Sequence, residues 1–333
     1  MVGAALLALA AVVSSPGSDR AGLAFTRTIG GESSVWVARA DGAQARRIVP
    51  DAIRGTLSAD GRRLAYFLRQ DRAGTGLLPL YVVAVGGGSP RRIGDVAEAI
   101  WSPDGARLVV SSGKGLSLVD PTSGKRRRLA RGDDVSPSFA ADGKALAFSR
   151  TNGKNGRGYR SDVFVVRIAD RRITRLTRDG HADRPVWGGR WIVYRHFRFD
   201  ADWSLGRLRL VRPDGSGNRP LARGDERASR AQMGLDPVEL SADGTRLLAC
   251  AAAEFSCPPV TFTVPGGRRV RLSVPSGRGL LAYAADLARD GSEVLVDAGP
   301  LDGDAHHRVY SIPFAGGRPR LLAREARLPS WAR

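Results

Sequence analysis

The chain has 333 residues, among them 52 Lys or Arg and 33 Asp or Glu, which gives a net charge of +19 at pH 7. This length allows one large closed domain, and no Pro/Ser-rich linker or long charged block divides it. The charge disfavours basic partners and favours acidic ones, so a polyanion such as nucleic acid is one expected class of partner. Because Arg recurs along the whole chain, mostly in segments expected at sheet edges, a solvated basic surface is the better-supported interpretation.

The first 20 residues predict a leader. Residues 2–13 form an apolar run and residues 14–18 are small or turn-forming, as in a secretory signal, although the basic start is missing. The run is too short for a typical membrane span, and no other segment is apolar enough to cross a bilayer. We therefore expect residues 21–333 to form an exported domain, secreted or in the cell envelope, without a membrane span.

Five Asp-Gly pairs recur within nearly the same ten residues. Their aspartates are Asp60, Asp104, Asp142, Asp243 and Asp290. They are separated by 44, 38, 101 and 47 residues, and the gap of 101 covers two periods. At its middle, Trp187 begins a unit that keeps the glycine and the apolar run but lacks the aspartate. A period of about 45 residues without helical signals predicts the blades of a β-propeller.

Each repeat predicts one four-stranded blade. A bulky residue ends the first strand, Asp-Gly forms a tight turn, and an apolar run begins the second strand. A third strand and a short basic fourth strand follow. The apolar second strands number seven, at residues 22–25, 64–67, 108–110, 146–148, 191–194, 247–249 and 294–296. Six blades is the alternative count.

The two ends of the chain are expected to complete one blade. The unit at residue 22 has no first strand before it, and residues 326–331 form a first strand with no hairpin after it. Pairing these strands would close the ring and leave no free sheet edge there. The sequence therefore predicts a single all-β propeller of four-stranded blades, closed by its terminal strands.

One repeat carries a recognisable consensus. It runs from Trp101 through Ser102 and Pro103 to Asp104 and Gly105, an aromatic residue followed by Ser-Pro-Asp-Gly. In this pattern, residues 22–333 resemble the TolB-like, WD-repeat-like β-propellers. Elsewhere the Pro is replaced by Ala59, Ala141, Ala242 or Arg289. The resemblance implies a fold that occurs in envelope scaffold proteins, in prolyl-oligopeptidase-type enzymes and in solitary proteins.

Cys250 and Cys257 flank the predicted loop between the second and third strands of the sixth unit. Facing residues of an antiparallel pair lie within disulfide reach, and an exported domain permits the bond. The alternative is two reduced, partly buried thiols.

The loops between second and third strands, with the links between blades, are expected on the face opposite the Asp-Gly turns. Four of them differ in length and chemistry, at residues 69–78, 150–161, 195–206 and 297–306. Variable loops on a rigid scaffold commonly bind partners. Aromatic and basic side chains there are candidate contacts for an acidic protein partner: Arg157, Tyr159, Arg198, Phe199 and Trp203. The alternatives are a solvated hairpin and rings that only pack over a blade edge.

Asp302, Asp304 and His306 lie close together in the last long loop. Their oxygen and imidazole groups are ligands that calcium or zinc uses, but the spacing fits no standard metal loop. A surface loop without a metal is the better-supported interpretation, and we expect no cofactor.

Catalytic signals are few. The sequence has no Gly-x-Ser-x-Gly elbow, no His-Glu-x-x-His motif and only four His. The repeated aspartates are explained by turn geometry. We therefore expect a monomeric, non-enzymatic scaffold that binds an unidentified partner. The alternatives are a lactonase or glycan-processing hydrolase with a metal in the central channel, and a polyanion-binding propeller.

Overall fold

Short apolar runs separated by Gly-containing turns build this chain from β-strands. The computed structural model describes residues 20–69, 76–155, 158–200, 203–222, 234–252, 256–274, 280–300 and 306–332. Within these ranges the regular secondary structure comprises 28 β-strands and no α-helix, which confirms the all-β prediction. The same residues therefore contain no helix with the length and apolar character that crossing a membrane requires.

The first four blades follow one another along the chain, except that blade 1 takes its first strand from the C-terminus. Blade 1 consists of β1 (Leu23–Ile29), β2 (Glu32–Ala38), β3 (Arg46–Pro50) and the C-terminal β28 (Arg327–Trp331). Blade 2 consists of β4 (Ala52–Leu57), β5 (Arg63–Leu68), β6 (Leu78–Ala84) and β7 (Arg91–Val96). Blade 3 consists of β8 (Glu98–Trp101), β9 (Leu108–Ser111), β10 (Leu116–Val119) and β11 (Arg126–Arg128). Blade 4 consists of β12 (Asp133–Phe139), β13 (Ala145–Asn155), β14 (Gly158–Arg167) and β15 (Ile173–Arg175).

The remaining three blades repeat this order. Blade 5 consists of β16 (Ala182–Gly188), β17 (Trp191–Asp200), β18 (Trp203–Val211) and β19 (Arg219–Pro220). Blade 6 consists of β20 (Gly234–Leu240), β21 (Arg246–Ala252), β22 (Pro259–Thr263) and β23 (Arg269–Arg271). Blade 7 consists of β24 (Leu280–Leu287), β25 (Glu293–Pro300), β26 (Arg308–Pro313) and β27 (Arg320–Arg324). A single parallel pair, Gly206 with Gly234, joins the sheets of blades 5 and 6.

The strands from the two ends of the chain pair with each other. β28 runs antiparallel to β1, with Leu23 opposite Trp331 and Ala24 opposite Ser330. Trp331 packs in a buried cluster with Leu23 of blade 1 and Leu295 of blade 7. The described strands thus divide into seven sets of four, which agrees with the seven-blade count and with closure by the terminal strands.

The core lies between the faces of neighbouring blades. One buried cluster joins Phe67 and Leu80 of blade 2 to Leu108 and Val110 of blade 3, and all four side chains are at most 2% exposed. Because such sheets are covered on both faces, their middle strands are almost continuously apolar. This packing fixes each blade against the next and holds the first strands in a ring.

The Asp-Gly pairs form the turns that the repeat predicted. In blade 3, Gly105 has a φ of +67°, and its N–H donates to the Ser102 carbonyl at 2.7 Å. The Ser102 hydroxyl and the Ala106 N–H both donate to Asp104 Oδ1, and these bonds lower the pKa of Asp104. The carboxylate is therefore used to hold the turn.

Two segments expected to be long loops are largely β-hairpins. β13 and β14 remain paired as far as Asn155 and Gly158, and β17 and β18 remain paired as far as Asp200 and Trp203. The loop prediction for these two segments is therefore wrong. Aromatic and aliphatic residues recur along the extension of β17 and β18, as strands favour, whereas the extension of β13 and β14 is rich in Asn and Gly and carries no strand signal.

Candidate binding site in the central channel

A cavity of about 600 Å³ is lined by residues from the first strands of all seven blades. Each of these strands carries the bulky residue of the repeat at its last position, or in β16 at the position before the last. These residues line the cavity together: Leu57, Trp101, Phe139, Trp187, Leu240, Leu287 and Trp331. The repeat therefore builds an apolar and aromatic collar. Because every blade contributes to it, the cavity marks the central channel of the ring.

The cavity lies at the end of the channel that carries the Asp-Gly turns. Its lining includes the residue that precedes the aspartate in each of the five turns, namely Ala59, Pro103, Ala141, Ala242 and Arg289. The sequence had placed the site on the opposite face, among the long loops. Parts of those loops lie outside the residues that the structure describes.

Proline recurs on the strands that line the channel. Pro137, Pro185, Pro237 and Pro329 all precede the bulky residue of their strand by two or three positions. The first strand of a blade is a sheet edge, and an edge tolerates proline because an N–H facing away from the ladder has no strand partner to lose. This Pro-then-bulky spacing was visible in the sequence and marks the channel wall.

Side chains of the preceding blade accept hydrogen bonds from three N–H groups of this inner edge. Ser136 N–H donates to Glu98 Oε2 at 2.6 Å, and Trp187 N–H donates to Ser138 Oγ at 2.9 Å. Trp331 N–H donates to Asp286 Oδ2 at 2.8 Å. These three bonds fix parts of the channel wall in position, as a preformed binding site requires.

Charges of both signs lie in and beside the channel: Glu98 and Arg184 line the cavity, and Arg54 lies near Glu98. Burial raises the pKa of Glu98, although the Ser136 N–H and the charges of Arg54 and Arg184 act in the opposite direction. Burial lowers the pKa of Arg54, and the charge of Glu98 opposes that shift. Arg184 also donates to Asp236 Oδ2 at 2.8 Å. These groups therefore compensate one another within the wall.

A buried ionic cluster ties blades 4, 5 and 6 together beside the channel. Arg195, which is 7% exposed, donates to both oxygens of Asp183 and, at 3.2 Å, to Asp236 Oδ1. The Tyr159 hydroxyl donates to Asp183 Oδ2 at 2.7 Å and accepts from Arg195 Nη2 at 2.9 Å. Burial opposes the charge of Arg195, but the bonds to Asp183 and the charge of Asp236 raise its pKa overall. Burial and the charge of Asp183 raise the pKa of Tyr159 to about 12.

The five residues expected to contact a partner have different positions. Tyr159 is held by the ionic cluster, and its ring lies 5.0 Å from that of buried Phe197. Arg198 is exposed on β17. Phe199 and Trp203 lie in paired strands, but their side chains and the whole of Arg157 lie outside the described structure. Of the five, only Arg198 is seen as an exposed side chain.

The metal candidates are only partly described. Asp302 and Asp304 lie outside the described residues, and His306 is exposed. The neighbouring His307 is buried, with Nδ1 2.7 Å from Asp297 Oδ1, and its Nε2 donates to the Pro300 carbonyl at 3.0 Å. Among the residues that the structure describes, no group of three or more His, Cys, Asp or Glu is arranged to hold a metal.

Cys250 and Cys257 form a disulfide, with Cα atoms 5.0 Å apart. Cys250 lies in β21, and Cys257 N–H donates to the Ala282 carbonyl of blade 7 at 3.0 Å. The disulfide therefore closes the connection between the second and third strands of blade 6, and the hydrogen bond to Ala282 holds that connection against blade 7.

The ring of blades around one channel defines a β-propeller. No protein-family model matches the chain. In sequence, a segment of 140 residues is 31% identical to the protein TolB homolog of Chlorobium luteolum, and it covers 41% of this chain and 28% of that protein. The match therefore spans under a third of that relative's length.

Solved structures show the same fold. TolB from Acinetobacter baumannii superposes with a TM-score of 0.56 and 17% identity, over 92% of this chain and 81% of that one. The β-propeller domain of the Trilobed protease from Pyrococcus furiosus gives a TM-score of 0.64 and 12% identity, over 95% and 96% of the two chains. The chain thus has the β-propeller fold that the TolB and protease structures share. The fold alone does not distinguish a binding protein from an enzyme, because one of these propellers is part of a protease.

Proposed function

We propose that this propeller is an exported, non-enzymatic binding scaffold of the cell envelope and that it receives a segment of a partner protein in its channel mouth. The observation that carries the proposal is the cavity at the Asp-Gly face, with its collar of bulky side chains. A preformed concave site of several hundred Å³, lined by aromatic rings and a few polar groups, is typical of ligand recognition.

The chemistry of the wall favours binding over catalysis. Glu98 accepts a backbone hydrogen bond and lies in the field of two arginines, so its carboxylate has a structural partner. The half-buried Trp101 and Trp187 offer large apolar area at low cost in conformational entropy, as at interface hot spots. In the described part of the wall no Ser or Cys contacts a histidine, the pairing that nucleophilic catalysis uses.

Export is supported by the predicted leader and by the disulfide. Disulfides persist mainly in oxidising compartments outside the cytosol. The TolB homolog among the sequence relatives supports the resemblance on which the scaffold role is proposed.

Site-specific photo-crosslinking tests the binding proposal in the native cell. A photoreactive amino acid is placed at one of three positions. These are Ala141 in the channel mouth, Arg198 on the opposite face, and Arg127 on the outer strand of blade 3. We expect one discrete adduct from position 141 and none from position 127. An adduct from position 198 but not from 141 would move the site to the long-loop face.

Fractionation of the same cells tests export. The full chain is expected outside the cytoplasm, and deletion of residues 2–18 is expected to retain it inside. Recovery of both proteins from the cytoplasm would contradict export and leave the channel site to be judged by the crosslinks alone.

A further inference from the structure

One residue of the channel mouth departs from the repeat. The position before the turn aspartate is occupied by a short residue in four blades, Ala59, Pro103, Ala141 and Ala242, whereas blade 7 has Arg289. Turn geometry does not require an arginine there, since alanine and proline serve the other turns. The long side chain therefore adds something that the fold itself does not need.

Arg289 reaches across the mouth. Its Nη1 donates to the carbonyl of Pro103 at 3.0 Å, although the two residues are 186 positions apart in sequence. Pro103 belongs to the turn of blade 3 and Arg289 to the turn of blade 7. Blades 1 and 2 separate them on one side of the ring and blades 4, 5 and 6 on the other. The guanidinium thus lies over the opening of the cavity.

The charge of Arg289 has no acidic partner among the described residues. Its hydrogen bond is to a neutral carbonyl, and no described carboxylate lies within salt-bridge distance of it. Arg184, the other arginine of the lining, is paired with Asp236. A guanidinium has five donors in a planar fork, and carboxylates bind it more strongly than neutral carbonyls do.

We propose that Arg289 is the carboxylate-binding residue of the channel mouth and that the partner segment is an acidic peptide. The proposal rests on the proposed function and specifies its ligand. In this structure Arg289 lies over the opening and donates to the Pro103 carbonyl. A Glu or Asp side chain of the entering segment replaces that neutral acceptor, so that the same guanidinium both covers the cavity and holds its ligand.

The probe for this proposal is a short capped peptide of glutamate, with the matching glutamine peptide as its neutral counterpart. Binding is measured by calorimetry and by the fluorescence of the tryptophans that line the cavity. The variants are Arg289→Ala and Arg289→Lys. The matched control is Arg62→Ala, which removes the same charge from an exposed turn residue on the same face that does not line the cavity.

We expect the glutamate peptide to bind the native protein and the glutamine peptide to bind at least about tenfold more weakly, because a charge-assisted hydrogen bond is replaced by a neutral one. Arg289→Ala should weaken glutamate binding by about tenfold or more, and Arg289→Lys by less, since lysine keeps the charge without the fork. Arg62→Ala should change it by less than about twofold, because exposed charges are screened. Melting temperatures should be unchanged in all three variants.

Equal losses in Arg289→Ala and Arg62→Ala would overturn the proposal, since they would show attraction by the overall charge of +19. Failure of the native protein to distinguish glutamate from glutamine would overturn it as well. The two hypotheses fail separately. A crosslink from position 141 with no effect of Arg289→Ala retains the channel site for a partner protein and removes the acidic ligand. Arg289-dependent peptide binding without that crosslink retains the carboxylate site and removes the partner protein of the proposed function.

Discussion

Replacing Trp331 by alanine tests how the ring is closed. Trp331 is 7% exposed and packs with Leu23 and Phe25 of blade 1 and with Leu295 of blade 7. Truncating a buried tryptophan to alanine costs about 3–5 kcal/mol, and whole domains are stable by only about 5–15 kcal/mol. The Trp331 N–H keeps its bond to Asp286 in the variant, so the loss reports on side-chain packing.

Urea unfolding measures this loss as a lower midpoint with an unchanged slope. The control is Trp187→Ala, the corresponding residue of blade 5, whose first two strands are joined by a covalent turn and whose indole is only half-buried. We expect the control to lose clearly less. A loss below about 1 kcal/mol for Trp331→Ala, or equal losses in the two variants, would refute closure by the terminal strand.

Two further variants test the turns and the ionic cluster. Gly105→Val should lower the free energy of unfolding by about 1–3 kcal/mol, because its φ is positive and a Cβ would lie 3.0 Å from the Ala59 nitrogen. Asp104→Ala should cost less than about 1 kcal/mol at pH 7. Since the folded pKa of Asp104 is lowered, this difference should begin to shrink in melting curves as the pH falls below the ordinary carboxyl pKa. It should be lost once the pH passes below the lowered folded pKa, and a loss that persists there would contradict the turn role. Arg195→Leu leaves the buried carboxylate of Asp183 without its charge partner and should cost about 3–5 kcal/mol by urea unfolding, whereas a neutral result would show that the cluster adds no net stability.

The blades could be predicted from sequence because the turn chemistry is local. An Asp followed by Gly specifies a positive φ whatever the tertiary context, and Gly61 and Gly105 both have a φ of +67°. The closing strand was predictable for the same reason, since residues 326–331 repeat the first-strand pattern. The length of the β17–β18 hairpin was not predictable, because the same alternating residues can either continue a paired strand or form a long loop.

The position of the candidate site could not be predicted in the same way. The channel is made by a few residues from each blade, and its chemistry appears only when distant turns meet, as Arg289 and Pro103 do. The sequence showed Arg289 as an irregular repeat position. Only the ring shows that this irregularity faces the cavity. The sequence instead indicated a site in the long variable loops, because binding residues lie more often in such loops.

The pairing of β1 with β28 also determines how the domain responds to tension between its two ends. Leu23 and Trp331 face each other at the same end of an antiparallel pair, so a pulling force opens this pair first and the following pairs one after another. A peeling ladder resists force with one pair of residues at a time, whereas in the other blades the first two strands are joined by a covalent turn. Tension should therefore open blade 1 before any other and leave a broken ring of otherwise intact blades, at a rate set by this one strand.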